Sequence, residues 1–265
     1  MSSIFTAKTT DAYYFKILVE LLSHNIKIAH ININEDCISL SSMDTNRKVL
    51  IDLKLLAENF SLYKYKGTKR YLGINLNHFH KMLKSIKKKD SLQLFIPTEN
   101  QNKLGIRVFP KDNNRVTTSY ITIQNVQEID IELPKIYSKP VIIPSSEFSK
   151  SLKDLGNIGN QTEISVQNFY VKFCCKTDGI LERIVEFGEI DVYDKDEEIF
   201  NSYKETFFTD QLGKIAKISG LGSQLKLYTG KPIMFKTNVG NLGELSIYMK
   251  SIDELEKEAN MCLDD

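Results

Sequence analysis

A short lysine-bearing pattern recurs along the chain: an apolar residue, a lysine two positions on, a second apolar residue at the fifth position and a lysine at the sixth. It is complete at Phe79-His80-Lys81-Met82-Leu83-Lys84, Phe148-Ser149-Lys150-Ser151-Leu152-Lys153 and Leu212-Gly213-Lys214-Ile215-Ala216-Lys217, and partial at Tyr14-Phe15-Lys16-Ile17-Leu18-Val19. At about 100° per residue the apolar positions share one helix face and the lysines project on the opposite side. Each segment then offers apolar surface to a core and ammonium groups to an anion outside. Solvated lysines on an ordinary amphipathic helix fit any one copy better. Recurrence favours a single extended basic surface, for which the commonest large polyanion is nucleic acid, held through its phosphates.

The residues that would support catalysis do not come together. Thr229-Gly230-Lys231-Pro232 lacks the first glycine and the final hydroxyl residue of a phosphate-binding loop, and there is no glycine-rich dinucleotide fingerprint. His78 and His80 would sit about 200° apart on a helix, a poor metal pair. Asp191, Asp194, Asp196, Glu197 and Glu198 have the ligand chemistry for a divalent cation, yet a solvated acidic loop fits them better and the spacing of an EF-hand is missing. The expectation is a protein that is not an enzyme and needs no cofactor or metal.

The chain has 265 residues, 42% hydrophobic and 26% charged, enough for two globular domains of roughly 130 residues each. Its net charge is only +1, so a basic surface must be offset by acidity elsewhere. No apolar run approaches the roughly 20 residues of a membrane span, and Met1-Ser2-Ser3-Ile4 does not open a signal sequence; the expectation is an intracellular protein with no membrane partner. Cys37, Cys174, Cys175 and Cys262 show no metal-binding spacing and read as reduced structural thiols.

The elements that position the lysines follow from periodicity. A helix is predicted over 11–23, strands around Ala29, Ile31 and Ile33 and around Val49, Ile51, Leu53 and Leu55, a second helix from Asn75, and strands over 91–96 and 104–109. The second half repeats the order. A serine-capped helix opens at Pro144-Ser145-Ser146-Glu147, strands follow over 164–166 and 170–174, and Asp178-Gly179 signals a hairpin into 180–187. A fourth helix is predicted over 209–218, then strands over 225–228, 233–236 and 244–249. Two helices and many strands in the same order, twice, mark a duplicated α+β unit. The division expected is 1–124 and 139–265, joined by an extended connector over 125–138, with an acidic tail from Asp253 whose end is expected to be mobile.

At specific stretches the chain resembles the sliding clamps of DNA replication, the proliferating cell nuclear antigen family. These are Leu40-Ser41-Ser42-Met43-Asp44, Leu72-Gly73-Ile74-Asn75-Leu76, Ile143-Pro144-Ser145-Ser146-Glu147-Phe148, Asp154-Leu155-Gly156-Asn157-Ile158-Gly159, Tyr193-Asp194-Lys195-Asp196-Glu197-Glu198, and Leu242-Gly243-Glu244-Leu245 with Tyr248. They span nearly the whole chain in the family's order. The resemblance implies two clamp-type domains, each with two helices packed on antiparallel sheets, assembling into a closed homotrimeric ring. It implies a polymerase processivity factor that encircles double-stranded DNA without reading sequence and tethers replication and repair enzymes. Lys16, Lys81, Lys84, Lys150, Lys153, Lys214 and Lys217 would meet phosphates, with Lys87, Lys88 and Lys89 either joining them or forming a solvated turn.

Ring closure would pair edge strands over 115–123 and 180–187, with Val116, Tyr120, Ile121, Ile184 and Val185 as apolar contributors, although each fits an internal sheet position equally well. The family's pocket for the peptides of DNA polymerase, clamp loader, ligase and nuclease maps onto Met43, Leu50, Ile131, Leu133, Pro232 and Tyr248. Lys250-Ser251 replaces the family's usual Ala-Pro after the last strand, and the connector looks one residue short. Other readings are a subunit of a heterotrimeric damage-checkpoint clamp and, more remotely, a carboxylate-metal nuclease. The family default location is the nucleus; the richness in Lys, Asn and Ile fits an AT-rich genome, and a viral host would place replication in the cytoplasm.

Overall fold

The computed structural model describes residues 2–112, 115–136, 138–177, 179–188 and 202–261; the acidic stretch from Asp191 to Glu198, together with Asp178 and Cys262, lies outside the described residues. Two compact units emerge. The first comprises Met1–Thr45, Leu50–Ile131 and Asn238–Leu245, and the second Asn46–Val49, Glu132–Thr237 and Ser246–Asp265. Each unit thus takes in a short piece from the far half of the chain, which no division into consecutive stretches contains.

In the first unit β1 (Ser3–Thr9) leads into α1 (Ala12–Asn25), followed by β2 (Ile28–Asn34), β3 (Cys37–Met43), β4 (Val49–Leu56), β5 (Leu62–Tyr65) and β6 (Lys69–Asn75). After α2 (Leu76–Leu83) come β7 (Ser91–Pro97), β8 (Lys103–Phe109), β9 (Thr117–Thr122) and β10 (Gln124–Asn125). One antiparallel sheet runs β5-β1-β7-β8-β9, and β10-β6-β2-β3-β4 lie side by side in another. Alternation fixes the faces: along β8, Leu104, Ile106 and Val108 are buried while Lys103 is exposed and Arg107 half-buried. The two helices lock through Phe15 and Phe79, whose ring centroids are 5.9 Å apart at 63°. Asn75 caps α2, its Oδ1 accepting from the His78 amide at 3.0 Å.

The second unit repeats the plan with β11 (Val141–Pro144), α3 (Ser145–Gly156), β12 (Gln161–Gln167), β13 (Tyr170–Thr177), β14 (Leu181–Phe187), β15 (Ser202–Phe208) and α4 (Thr209–Lys214). It continues through β16 (Gln224–Tyr228), β17 (Ile233–Val239) and β18 (Gly243–Met249) to α5 (Ile252–Met261). The sheets run β14-β13-β12-β15 and β18-β17-β16-β11. Phe148 of α3 is fully buried between Phe173 and Phe235, at centroid distances of 5.9 and 5.6 Å. Each unit is therefore a pair of helices on antiparallel sheets, an α+β arrangement made twice, to which the second unit adds α5.

Two local expectations change, and one element is added. Pro144, not a serine, stands at the N-cap of α3, and no side chain caps that end; Ser145 is instead fully buried inside the first turn. The fourth helix stops at Lys214, and a 3-10 turn takes over from Ala216 to Gly220. Leu212, Ile215, Ile218 and Leu221 recur every third residue and are all fully buried, a spacing that three residues per turn aligns better than 3.6. The tail is also a helix. Ser251 and Glu254 form a reciprocal capping box, with the Ser251 amide donating to Glu254 Oε2 at 2.8 Å and the Glu254 amide to Ser251 Oγ at 3.3 Å. Lys250 then bridges to Glu258 at 2.6 Å, one α5 face reaching back over the helix start.

Gly243 of β18 lies against β4 so closely that an added Cβ would overlap the Lys54 carbonyl oxygen, whereas Gly213 in α4 faces open space. Gly243→Ala is expected to destabilise the fold by about 2 kcal/mol through overpacking, and Gly213→Ala to stabilise it by roughly 0.5–1 kcal/mol. Urea denaturation of the two variants beside the parent checks the opposite signs.

Candidate nucleic-acid interface

The lysines sit where the apolar rows force them. In α2, Phe79 and Leu83 are buried and Lys81 and Lys84 exposed; in α3, Phe148 and Leu152 are buried and Lys150 and Lys153 exposed. An unpaired ammonium cannot enter a core without a large desolvation cost, so burying one row turns the other toward solvent. Lys150 shares an i,i+3 ion pair with Glu147 at 2.8 Å, but both partners are exposed and such pairs are easily exchanged for a phosphate. In the fourth segment Leu212 is buried, Lys214 half-buried and Lys217 exposed.

Lys16 departs from the pattern. Tyr14 is exposed and Phe15 occupies the core position, so the partial copy is out of register by one residue. Lys16 Nζ instead donates to the carbonyls of Lys84 at 2.8 Å and Ile86 at 3.1 Å. A cation on the last carbonyls of α2 satisfies orphan acceptors and opposes the helix dipole. Lys16 is accordingly a clasp between α1 and α2 rather than a free phosphate ligand. Beside it, burial holds the His80 imidazole below its usual pKa, with Glu20 pulling it back and Lys84, His24 and Lys16 pushing the same way as burial.

The segments expected at subunit boundaries both lie on sheet edges, β9 in the first unit and β14 in the second. Val116, Tyr120 and Ile184 are exposed and Val185 half-buried. Ile121 differs: it is buried in its own unit, opposite Leu104 of β8. Strand alternation carries Tyr120 outward and Ile121 inward. The periodicity also left out Ile180 and Leu181, which are 82% and 50% exposed beside the edge and form its most accessible apolar surface.

The expected partner pocket is divided between the units. In the first, Met43 pairs with Leu50 across β3 and β4; Met43 is exposed and Leu50 buried. Ile131 is half-buried and lines a cavity of about 180 Å³ with His30, Asn32, Tyr71 and Ile129. The chain over this cavity is held by Lys69 and Glu128, 2.5 Å apart. Hydrogen bonds from Lys69 and then Tyr71 keep the Glu128 carboxyl below its usual pKa, and the Lys69 ammonium is raised in return. In the second unit Leu133 is exposed, Pro232 half-buried and Tyr248 buried. Among the described residues no group of His, Cys, Asp and Glu is arranged to hold a metal, and no helix is long and apolar enough to cross a membrane. Cys37, Cys174 and Cys175 are buried free thiols.

Two family models match end to end: the N-terminal domain of proliferating cell nuclear antigen over residues 4–133 and its C-terminal domain over 132–252. Among curated proteins, the DNA polymerase sliding clamp of Pyrococcus horikoshii is 27% identical over 217 residues, covering 77% of this chain and 81% of that protein. That of Nitrosopumilus maritimus is 26% identical, covering 92% and 97%. The probable DNA polymerase sliding clamp 1 of Paramecium bursaria Chlorella virus 1 is 22% identical, covering 94% and 97%. The crystal structure of Proliferating Cellular Nuclear Antigen from Entamoeba histolytica superposes with a TM-score of 0.81 at 22% identity, covering 94% of this chain and 99% of that one, a likeness of fold.

If Lys16 is a clasp, Lys16→Met should lower stability by about 1.5–3 kcal/mol, the usual worth of hydrogen bonds to a charged group. Lys81→Met, at an exposed site, should change it by less than about 0.5 kcal/mol. Chemical denaturation of both variants checks the contrast; equal effects would return Lys16 to the solvated lysines.

Proposed function

Because the chain belongs to the proliferating cell nuclear antigen family of DNA sliding clamps, processivity factors that are not enzymes, we propose that it closes into a homotrimeric ring around duplex DNA and tethers replication and repair enzymes to it. The observation that carries this is the repeated display of exposed lysine pairs, Lys81 with Lys84 at α2 of the first unit and Lys150 with Lys153 on α3 of the second. Lys214 and Lys217 complete the set. Ammonium groups on rigid helices meet phosphates wherever the duplex lies and read no bases, so the contacts exchange as the ring slides. A topological link supplies the persistence that weak contacts lack.

Closure uses the two edge strands, β9 of one subunit against β14 of the next, a head-to-tail contact that ends after three copies. The exposed Val116, Tyr120, Ile180, Leu181 and Ile184 supply its apolar surface. Polymerase, clamp loader, ligase and nuclease engage through short peptides that reach Met43, Leu50 and Ile131 of the first unit and Leu133, Pro232 and Tyr248 of the second. An exposed methionine suits a surface that accepts differing anchors.

Three measurements test this function. Light scattering of the purified chain should give three times the chain mass; a monomer at micromolar concentration contradicts self-closure. Lys81→Glu with Lys84→Glu should leave that mass unchanged while weakening salt-sensitive DNA association and clamp-dependent synthesis by at least about tenfold, since reversing two phosphate contacts costs several counterions' worth of binding. Ile131→Ala with Leu133→Ala should loosen a fluorescent clamp-binding peptide by about tenfold, as loss of two apolar anchors implies, without opening the ring. Unchanged peptide affinity would mean that the pocket lies elsewhere.

A further inference from the structure

Beyond α2 the chain reads Lys84-Ser85-Ile86-Lys87-Lys88-Lys89-Asp90, and it is folded, not loose. The Ile86 amide donates to the Leu83 carbonyl and the Asp90 amide to the Lys87 carbonyl, both at 3.1 Å, while the Lys87 amide donates to Asp90 Oδ2 at 2.8 Å. Ile86 and Asp90 are buried, and the three lysines between them are exposed. Since Lys16 already occupies the carbonyls of Lys84 and Ile86, this helix end leaves the triplet no capping duty there.

The triplet lines a cleft of about 560 Å³, within the roughly 300–1,000 Å³ usual for small-molecule sites. Lys111, Arg115 and Thr117, where β9 begins, line the same cleft, together with the apolar Val108 and Pro110. Five cations against Asp90 and Asp112 leave a local charge of 5 − 2 = +3. The Asp90 carboxylate is turned inward to the Lys87 amide, so the imbalance at the mouth is greater still. Among the described residues none of Lys87, Lys88, Lys89, Lys111 and Arg115 has a carboxylate partner; Lys88 lies 5.9 Å from the Tyr13 ring centroid. Like charges held together with no counter-charge store repulsion that an anion relieves.

We propose that this cleft is an oligophosphate site, which takes successive phosphate groups of a free nucleoside triphosphate or of the end of a DNA strand. Four ammonium groups, a guanidinium and the hydroxyls of Ser85 and Thr117 are too many donors for one carboxylate, and they match the many acceptor oxygens of linked phosphates. Val108 and Pro110 offer apolar surface to the attached base or sugar. The site does not include the helix-face lysines Lys81 and Lys84, and all the residues that line it belong to one chain.

The test is calorimetric titration of tripolyphosphate into the full chain, with dATP and a 5′-phosphorylated single-stranded oligonucleotide as competitors. One saturable site per chain is expected, weakened by at least about tenfold in Lys88→Ala with Arg115→Ala, since two charge-assisted contacts are lost. Lys54→Ala with Lys226→Ala, which removes exposed cations elsewhere, should leave it within about twofold, as screened distant charges do. Displacement by dATP identifies a free nucleotide as the source; displacement by the oligonucleotide alone identifies a strand end. The absence of saturable heat at millimolar tripolyphosphate, or equal loss in both double variants, overturns the proposal. No duplex enters the experiment, and because Arg115 opens the edge segment assigned to closure, the light-scattering mass of Lys88→Ala with Arg115→Ala, expected unchanged, separates loss of this site from loss of the ring.

Discussion

An ammonium group cannot be buried alone, and the arrangement of this chain depends on that constraint. Phe79, Leu83, Phe148, Leu152 and Leu212 are all but fully enclosed, and the lysines between them are carried outward by helix geometry. The core and the charged surface are thus one decision made by the same few turns. Where the register slips by a residue, at Tyr14 and Phe15, the lysine finds backbone carbonyls instead of solvent, and its role changes from display to fastening.

The sheets impose a second demand. Among the described residues β9 and β14 end their sheets with no strand on one side, and β14 has Ile184 and Leu181 open to solvent. Charged residues on β14, Glu182, Arg183 and Glu186, temper nonspecific association without blocking a matched strand. Such edges are liabilities in an isolated protein, and a partner strand of defined register removes the liability.

Much of this was legible in residue order. Alternation at Leu104, Ile106 and Val108, and the recurring lysine pattern, carry enough period to place strands and four of the five helices, the end of the fourth excepted. Other features were written in the chain but masked by competing signals. Ser251-x-x-Glu254 announces a helix start, yet the acidic stretch beyond it, short of apolar residues, hides the helical period until the reciprocal hydrogen bonds are seen. The spacing of three from Leu212 to Leu221 encodes a 3-10 turn that an α-helical period only blurs. Ile121 and Tyr120 are adjacent and similarly apolar, and only the sheet register separates inward from outward. The cleft was out of reach of any local pattern, because Lys88 and Arg115 meet through tertiary folding alone.

Each compact unit borrows a segment from the opposite end of the chain, Asn238–Leu245 for the first and Asn46–Val49 for the second. The inheritance of two similar halves has therefore been sewn shut. Neither half, released by cleavage in the connector, carries every segment that its own unit uses, and the first unit cannot be finished during synthesis until the ribosome is nearly done. Assembly is non-local by design, which slows it and lengthens the interval in which bare strand edges are open to wrong neighbours.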